Sequence, residues 1–239
     1  GLKLEDFTRI LKAPKDFFVG FVSQLIILPL VAYLLIIILK TPAEIAIGVM
    51  IIASAPGGVT SNIMTKFADG DVALSISLTA VISVISIITV PVIIFTSANL
   101  LGITEISQNI SMVGIAMKMF LVVTVPVILG MIIRKFAENF VTAKVEIFNK
   151  LNIVLFIIFF IAAFYEERLN ILSFIKQAGI ISLILNITMM VIAYYLAKIF
   201  ASGIQQRKCI ALECGLQNGT LALFVSTQIF GTDILYALP

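Results

Sequence analysis

Glu213 is an acidic residue within an apolar stretch of the sequence. A carboxylate near the centre of a lipid bilayer is costly, and by default it marks a functional site. Other oxygen-bearing side chains also interrupt apolar stretches: Gln24 is one, and Ser75 and Thr79 share a helix face because they lie four residues apart. Carboxylate, amide and hydroxyl oxygens suit a small hard cation, and one carboxylate among neutral oxygens fits monovalent ions better than a divalent ion. The pattern predicts an oxygen-lined cation site.

The same residues also have structural explanations, which the sequence leaves open. Glu213 could form an ion pair with Lys118, the only basic residue inside an apolar segment. A Ser or Thr hydroxyl often bonds back to its own helix or joins two helices. Ser61 and Asn62, which follow Pro56, are predicted to cap the next helix, and a capping side chain retains oxygen sites for an ion. Ser61 and Asn62 therefore complete the predicted oxygen cage.

The composition shows what kind of protein must position these residues. The chain has 239 residues, of which 61% are hydrophobic and 12% charged, and its mean hydropathy is +1.17. A soluble domain is about 45–50% apolar and about 25% charged. An all-α polytopic membrane protein is therefore predicted, because lipid offers the backbone no hydrogen-bond partners and a helix satisfies its own. Seven spans are predicted, at residues 17–39, 43–67, 72–103, 109–133, 145–164, 171–197 and 208–230.

The composition also excludes several chemistries. The sequence has no His, so it offers no imidazole base and no His-ligated metal. Cys209 and Cys214 lie five residues apart on one apolar segment, which is neither a disulfide framework nor a zinc site. The basic residues form short clusters at segment ends, so no face is available for nucleic acid. No Asp lies inside a predicted span, which argues against an intramembrane protease, and we expect no enzyme activity.

The Lys and Arg residues predict the orientation, because they concentrate in cytoplasmic loops. Of 16 such residues, 12 fall on one side of the predicted spans and 3 on the other. We therefore expect the Gly1 end in the cytoplasm and the Pro239 end outside, in an inner or plasma membrane. This direction is opposite to that of the usual seven-helix receptor.

Two of the predicted spans are interrupted near their middle. In span 43–67 the interruption is the run Pro56, Gly57 and Gly58, which breaks helical geometry. In span 208–230 it is the polar run between Gly215 and Gly219. Because the two spans are five apart, they run in opposite directions, as in an inverted repeat with a binding site at the membrane midplane. Simple kinks in a helical bundle are the alternative.

Three runs of sequence carry a family resemblance. They are APGGVTSN at residues 55–62, GDVALS at 70–75 followed by Thr79, and ECGLQN at 213–218. Together they resemble the bile acid:sodium symporter family. The resemblance implies ten helices in two inverted five-helix repeats, arranged as a panel domain and a core domain whose two broken helices cross. The sequence is then expected to lack helices of this fold at both ends.

The resemblance also assigns parts of the chain. Residues 1–16 would be the end of a preceding helix and a cytoplasmic loop, 17–103 the spans of the first repeat, 109–230 the spans of the second, and 231–239 an outer loop. The implied first sodium site consists of Ser61, Asn62, Ser75, Thr79 and Glu213. The implied second site consists of Gln24, Glu213, Gln217 and the carbonyls of Cys214 and Leu216. Asn218 is similar in position to a residue that faces the substrate.

These features predict a symporter that imports an organic anion, bile-acid-like or a smaller carboxylate, with two Na+ ions by alternating access. One alternative is a proton-coupled organic anion carrier or oxyanion exporter of the same superfamily, in which Glu213 titrates instead of binding sodium. Another is a non-transporting seven-helix receptor. The partners expected are the anion and the lipid bilayer, and the oligomeric state is left open.

Overall fold

The structure, a computed structural model, describes residues 14–103, 111–165 and 175–230, and these residues form helices joined by short linkers. The interpretations of residues 1–13 and of the outer loop at 231–239 lie outside the described residues. The prediction of an all-α fold is confirmed for the described part of the chain.

The described residues form ten helices, numbered in chain order. They are α1 (Pro14–Ile38), α2 (Ala43–Ser54), α3 (Val59–Phe67), α4 (Val72–Leu100), α5 (Met112–Met119, the π-helical turn Phe120–Thr124 and Val125–Phe136), α6 (Glu138–Ala143), α7 (Val145–Tyr165), α8 (Ile180–Phe200, preceded by the π-helical turn Ile175–Gly179), α9 (Ile204–Gly215) and α10 (Gly219–Phe230).

Four helices of the described residues are long and apolar enough to cross a membrane: α1, α4, α5 over Met112–Gly130, and α8. Within the second and seventh predicted spans the structure has two pairs of shorter helices, α2 with α3 and α9 with α10. The count of seven spans stays a prediction. The protein is a multi-pass membrane protein, since a long apolar helix is stable in lipid.

The start and the end of the described chain follow the same pattern. A long helix, α1 or α8, is followed by a short linker and then by a half-helix of 12 residues, α2 or α9. A few extended residues separate each half-helix from the next one, α3 or α10. This is the pattern that the two interrupted spans predict for an inverted repeat.

The core is built around these two units. Helix α8 packs along α9 and against α1, and the buried Ala193 and Ala197 of α8 allow the close approach that small residues permit. Helix α2 packs between α1 and α4, and its residues from Ile45 to Met50 are all buried. Both half-helix pairs are therefore held by long helices on each side.

Three chain segments are tied together at one end of the bundle. Asp16 of α1 accepts a hydrogen bond from the backbone N–H of Ser202, at 2.7 Å. Lys208 of α9 donates to the carbonyl of Ala68 at 2.8 Å, and Gln206 donates to Asp71 at 3.0 Å. The start of α1, the α3–α4 linker and the α8–α9 linker thus lie on the same side of the molecule.

Candidate ion-binding site

The two helix breaks meet face to face. Gly57 and Gln217 form an isolated antiparallel β-bridge, and the N–H of Asn218 donates to the carbonyl of Pro56 at 2.8 Å. An antiparallel bridge joins chain segments that run in opposite directions. The backbone groups released by each break are thus partly satisfied by the other break.

The first break has a simple local cause. Ala55 ends α2 in an extended conformation (ψ 149°), and Pro56 supplies no amide to continue that helix. Gly58 occupies the N-cap of α3 with extended backbone angles, φ −127° and ψ −174°. The prediction that Ser61 and Asn62 cap this helix is wrong, because α3 already begins at Val59 and its N-cap is Gly58.

The second break is closed by its own polar residue. Helix α9 ends at Gly215, and Leu216 is extended. The side-chain oxygen of Asn218 accepts a hydrogen bond from the N–H of Leu221 at 3.1 Å, in the first turn of α10. Asn218 therefore caps α10, and its predicted contact with substrate stays a prediction.

Glu213 lies at the centre of a cluster of hydroxyl groups. Its side chain is 0% exposed. Its Oε1 atom accepts hydrogen bonds from the hydroxyls of Ser61 at 2.7 Å and Ser75 at 2.5 Å. Its Oε2 atom accepts a third from Thr79 at 3.0 Å. Helices α3, α4 and α9 therefore each contribute to one buried polar cluster.

Asn62 joins the same cluster through Ser75. Its Oδ1 atom lies 2.6 Å from the Ser75 hydroxyl oxygen, whose single proton can serve either Asn62 or Glu213 at one time. The Asn62 amide donates to the carbonyl of Gly58 at 3.2 Å. The structure thus brings all five residues of the predicted first sodium site into one network. Lys118 is exposed on α5, so the alternative of an ion pair with the buried Glu213 is not formed.

Gly57 lies directly against the carboxylate. A Cβ atom at this position would overlap Oε2 of Glu213 and would lie 3.2 Å from the Ser61 hydroxyl. Glycine therefore allows the backbone of the first break to approach the carboxylate closely. The sequence indicated Gly57 only as a helix breaker, and this second role needed the structure.

The predicted second site lies at the break between α9 and α10. The Gln24 amide donates to Oε1 of Gln217 at 3.1 Å. The Gln217 amide in turn donates to the carbonyls of Cys214 at 2.9 Å and Glu213 at 3.2 Å. The side-chain oxygen of Gln24 is buried and has no hydrogen-bond partner. An unpartnered buried oxygen is what a cation ligand would be before the ion binds.

Gln24 owes its position to an irregular turn. It lies in the π-helical turn Ser23–Ile27 of α1, where the N–H of Leu28 bonds back to the carbonyl of Ser23. Pro29 follows directly and has no N–H to donate. Such π-turns are often found at functional sites, because the inserted residue changes the direction of nearby side chains.

One polar residue that contacts the second break has no place in the sequence-based site. Asn186 of α8 donates from its side-chain amide to the carbonyl of Gly215 at 2.5 Å. Its signal in the sequence is a lone amide in the apolar segment ISLILNITMM. The implied residue roles, which come from the resemblance, did not include it.

The oxygens present fit a monovalent cation. They comprise one carboxylate with hydroxyl, amide and carbonyl oxygens, which are hard ligands. In the part of the chain that the structure describes, no group of three or more His, Cys, Asp and Glu could hold a metal ion. A divalent ion would find a single neutralising charge here, whereas one carboxylate matches a monovalent ion.

A helical membrane protein with a buried oxygen site at the crossing of two broken helices is the class that fold and site define. The family model for the sodium bile acid symporter family matches residues 1–174. The chain belongs to this family, as its sequence motifs predict.

Several relatives cover nearly the whole chain. A probable sodium/metabolite cotransporter of Arabidopsis thaliana chloroplasts is 29% identical over 100% of this chain and 58% of its own length. An uncharacterized sodium-dependent transporter of Bacillus subtilis is 30% identical over 100% of the chain and 72% of its own length. The human P3 protein is 25% identical over 93% of the chain and 46% of its own length. The chain thus spans between about half and three quarters of these relatives.

Proposed function

We propose that the protein is a sodium-coupled symporter that imports an organic anion by alternating access. One observation carries the proposal: five oxygen-bearing side chains from α3, α4 and α9 converge on one another where two broken helices cross. The printed names of the Arabidopsis and Bacillus relatives support sodium as the coupling ion.

Two sodium ions are proposed as cargo. The first would bind among Ser61, Asn62, Ser75, Thr79 and Glu213. The hydroxyl groups would then turn their lone pairs toward the ion instead of their protons toward the carboxylate. The second would bind between the free oxygen of Gln24, the side chains of Glu213 and Gln217, and the carbonyls of Cys214 and Leu216. Both sites share α9, so an ion in either one stabilises the break that the other uses.

The anion is proposed to bind beside these ions. The first turns of α3 and α10 start at the crossing, and the N-terminus of a helix carries free amides and a partial positive charge. Asn218 lies at the start of α10 and is the proposed substrate contact. Bound sodium would add positive charge here, so the anion binds more tightly after the ions. This order couples the two gradients.

The proposed setting is a cell membrane, with the Gly1 end in the cytoplasm and the Pro239 end outside. A membrane potential then favours inward movement of the positive ions by about 2.3 kcal/mol per charge per 100 mV. The crossing helices and their neighbours would form a core that moves as a rigid body against a panel domain. Because the network around Glu213 links three helices, it suits such a rigid unit.

Glu213→Gln tests the proposal. We expect it to remove binding of radioactive sodium to the purified protein and sodium-driven uptake of labelled taurocholate or lactate into proteoliposomes. Losing a buried charge that binds an ion costs about 2–5 kcal/mol, or at least roughly 30-fold in affinity. Glutamine retains the size of the side chain, so the fold is disturbed little.

Ser75→Ala and Ser77→Ala form a matched pair for the same experiment. Both residues are buried on α4, but the Ser77 hydroxyl donates only to the carbonyl of Ala73 in its own helix. We expect weaker sodium binding for Ser75→Ala and unchanged binding for Ser77→Ala. Sodium binding by Glu213→Gln at the wild-type level would contradict the proposal, and uptake that persists with choline in place of sodium would favour proton coupling.

A further inference from the structure

One side chain of α8 forms a hydrogen bond with the backbone at the break between α9 and α10. Asn186 donates a hydrogen bond to the carbonyl of Gly215 at 2.5 Å. Gly215 lies between Cys214 and Leu216, whose carbonyls are the proposed ligands of the second sodium ion. Of these three carbonyls, only that of Gly215 is not a proposed ligand, and it accepts the hydrogen bond from α8.

The other carbonyls nearby have a different kind of partner. Those of Glu213 and Cys214 accept from Gln217, a residue of the same break that is itself a proposed ligand. Gln217 can turn its amide away when an ion takes these oxygens. Asn186 lies on a different helix and does not belong to the proposed ion site. Its bond to Gly215 can therefore persist both with and without the ion.

Packing around Gly215 supports the same view. A Cβ atom at Gly215 would overlap Cγ of Met190 and would lie 2.9 Å from its sulfur atom. Asn186 and Met190 are four residues apart and therefore share one face of α8. This face holds Gly215 with a hydrogen bond at one residue and a close contact at the other.

Packing alone does not fix the peptide. A cavity of about 280 Å³ lies beside the break, and its lining includes Asn186, Leu216 and Gln217. Space on this side leaves the Gly215 carbonyl free to turn unless a donor holds it. A buried carbonyl without a partner is costly, so the peptide would then settle in another orientation.

We infer that Asn186 is a positioning residue for the second ion. By holding the Gly215 carbonyl on the α8 side, it directs the flanking carbonyls of Cys214 and Leu216 toward the ion. This inference rests on the proposed function, because it requires that sodium binds at the break. Asn186 itself does not touch the ion.

Asn186→Leu removes the donor at nearly constant size, and Ser182→Ala is its matched control. Ser182 lies one turn earlier on α8, lines the same cavity and donates only to the carbonyl of Ala178 in the π-helical turn that precedes this helix. We expect Asn186→Leu to raise the sodium concentration for half-maximal binding about tenfold and to reduce the sodium ions bound per protein. Asn186→Gln, which keeps a donor, should recover part of the affinity. Ser182→Ala should match wild type.

A second pair of variants tests the packing. Gly215→Ala should weaken sodium binding in the same way, because its methyl group displaces the break from Met190 and Asn186. Met190→Ala makes room for that methyl group, so the double variant should regain affinity. If Asn186→Leu fails to fold, wild-type sodium binding in Gly215→Ala would still overturn the inference, because the break displaced from Asn186 would then not have affected the ion.

The outcomes separate the inference from the proposed function. Wild-type sodium affinity and stoichiometry in Asn186→Leu, alongside loss of binding in Glu213→Gln, would overturn the inference alone. A lower thermal stability of Asn186→Leu in sodium-free buffer, with an unchanged sodium titration, would show a merely structural role and would also overturn it. Unchanged sodium binding in Glu213→Gln would instead remove the proposed function.

Discussion

The buried carboxylate of Glu213 depends on neutral neighbours. Ser61, Ser75 and Thr79 each place a hydroxyl within hydrogen-bond distance of it, and its side chain is 0% exposed. Hydrogen bonds to a charged group are worth about 1.5–3 kcal/mol each, yet they do not cancel its charge. A hydroxyl can also turn its lone pairs toward a cation. The cluster therefore suits a carboxylate that alternates between an ion and hydroxyl partners.

Gly57→Ala tests how closely the first break must approach this carboxylate. The new methyl group would overlap Oε2 of Glu213. Overpacking of this kind costs about 1–3 kcal/mol, so we expect sodium binding to weaken about 5- to 150-fold. A sodium titration of the purified protein measures the effect.

Gly58→Ala is the control for that substitution. The nearest atom to a Cβ at Gly58 is the Cα of Asn218 at 3.5 Å, an ordinary van der Waals distance. Its sodium affinity should remain within about threefold of wild type. Equal losses in Gly57→Ala and Gly58→Ala would show that the break needs flexible backbone at both positions, and not a close approach at Gly57.

At the scale of the helix, α1 and α5 share an unusual arrangement. Each contains a π-helical turn, Ser23–Ile27 or Phe120–Thr124, and each turn is followed by one residue and then by a proline, Pro29 or Pro126. Proline has no N–H and crowds the carbonyl four residues earlier, so a wider turn before it relieves the contact. The turn in α1 carries the proposed ligand Gln24, and the turn in α5 carries none.

Pro29→Ala should therefore affect the second ion. Alanine restores the amide, which lets α1 relax toward regular helix and rotates Gln24 by about 100° relative to the following segment. We expect the protein to bind fewer sodium ions while the site around Glu213 remains. Radioactive sodium binding at saturation gives the stoichiometry.

Pro126→Ala provides the comparison for Pro29→Ala. It makes the same chemical change after the π-helical turn of α5 and should leave the sodium stoichiometry unchanged. An unchanged stoichiometry in Pro29→Ala would show that Gln24 reaches its position without the π-turn. A loss in both variants would indicate a general effect of straightening a helix.

At the scale of the molecule, hydrogen bonds between loops show which loops lie on the same side of the bundle. The positions of the basic residues can be compared with this grouping. The bonds from Asp16 to Ser202 and from Lys208 to Ala68 bring three loop regions together on one side. The sequence assigns the basic residues of these same regions to the cytoplasmic side. A chain that crossed the membrane once more or once less between them would separate these bonded pairs.

Labelling with a membrane-impermeant maleimide tests the orientation. Lys40→Cys and Lys66→Cys place a thiol at exposed positions at opposite ends of the bundle. In intact cells we expect labelling at residue 40 and protection at residue 66, because the predicted cytoplasmic side holds Lys66. The native Cys209 and Cys214 are 0% and 1% exposed, so the unmodified protein should not react. Labelling at residue 66 in intact cells, with protection at residue 40, would reverse the proposed topology.

Sequence reasoning reached the helical class, the family and the residues around Glu213, because polar groups among apolar residues are conspicuous. It placed the start of α3 wrongly, since Gly58 can occupy the N-cap without a side-chain oxygen. It also missed the bond from Asn186 to Gly215, which joins residues far apart in the chain. The role of a single amide in a span depends on which helix packs beside it. The spacing of residues along one helix does not identify that neighbouring helix.

The two breaks contact each other through backbone atoms, and this affects which residues can vary within the family. The N–H of Asn218 bonds to the carbonyl of Pro56, and the bridge between Gly57 and Gln217 also joins backbone atoms. Such bonds do not depend on side-chain identity, so most substitutions at Gln217 and Asn218 leave the crossing itself in place, whereas a side chain at Gly57 would meet Glu213. Proline at 218 is an exception, since it would remove the donor. Evolution can thus alter the residues that select the cargo while the scaffold that presents them is inherited unchanged.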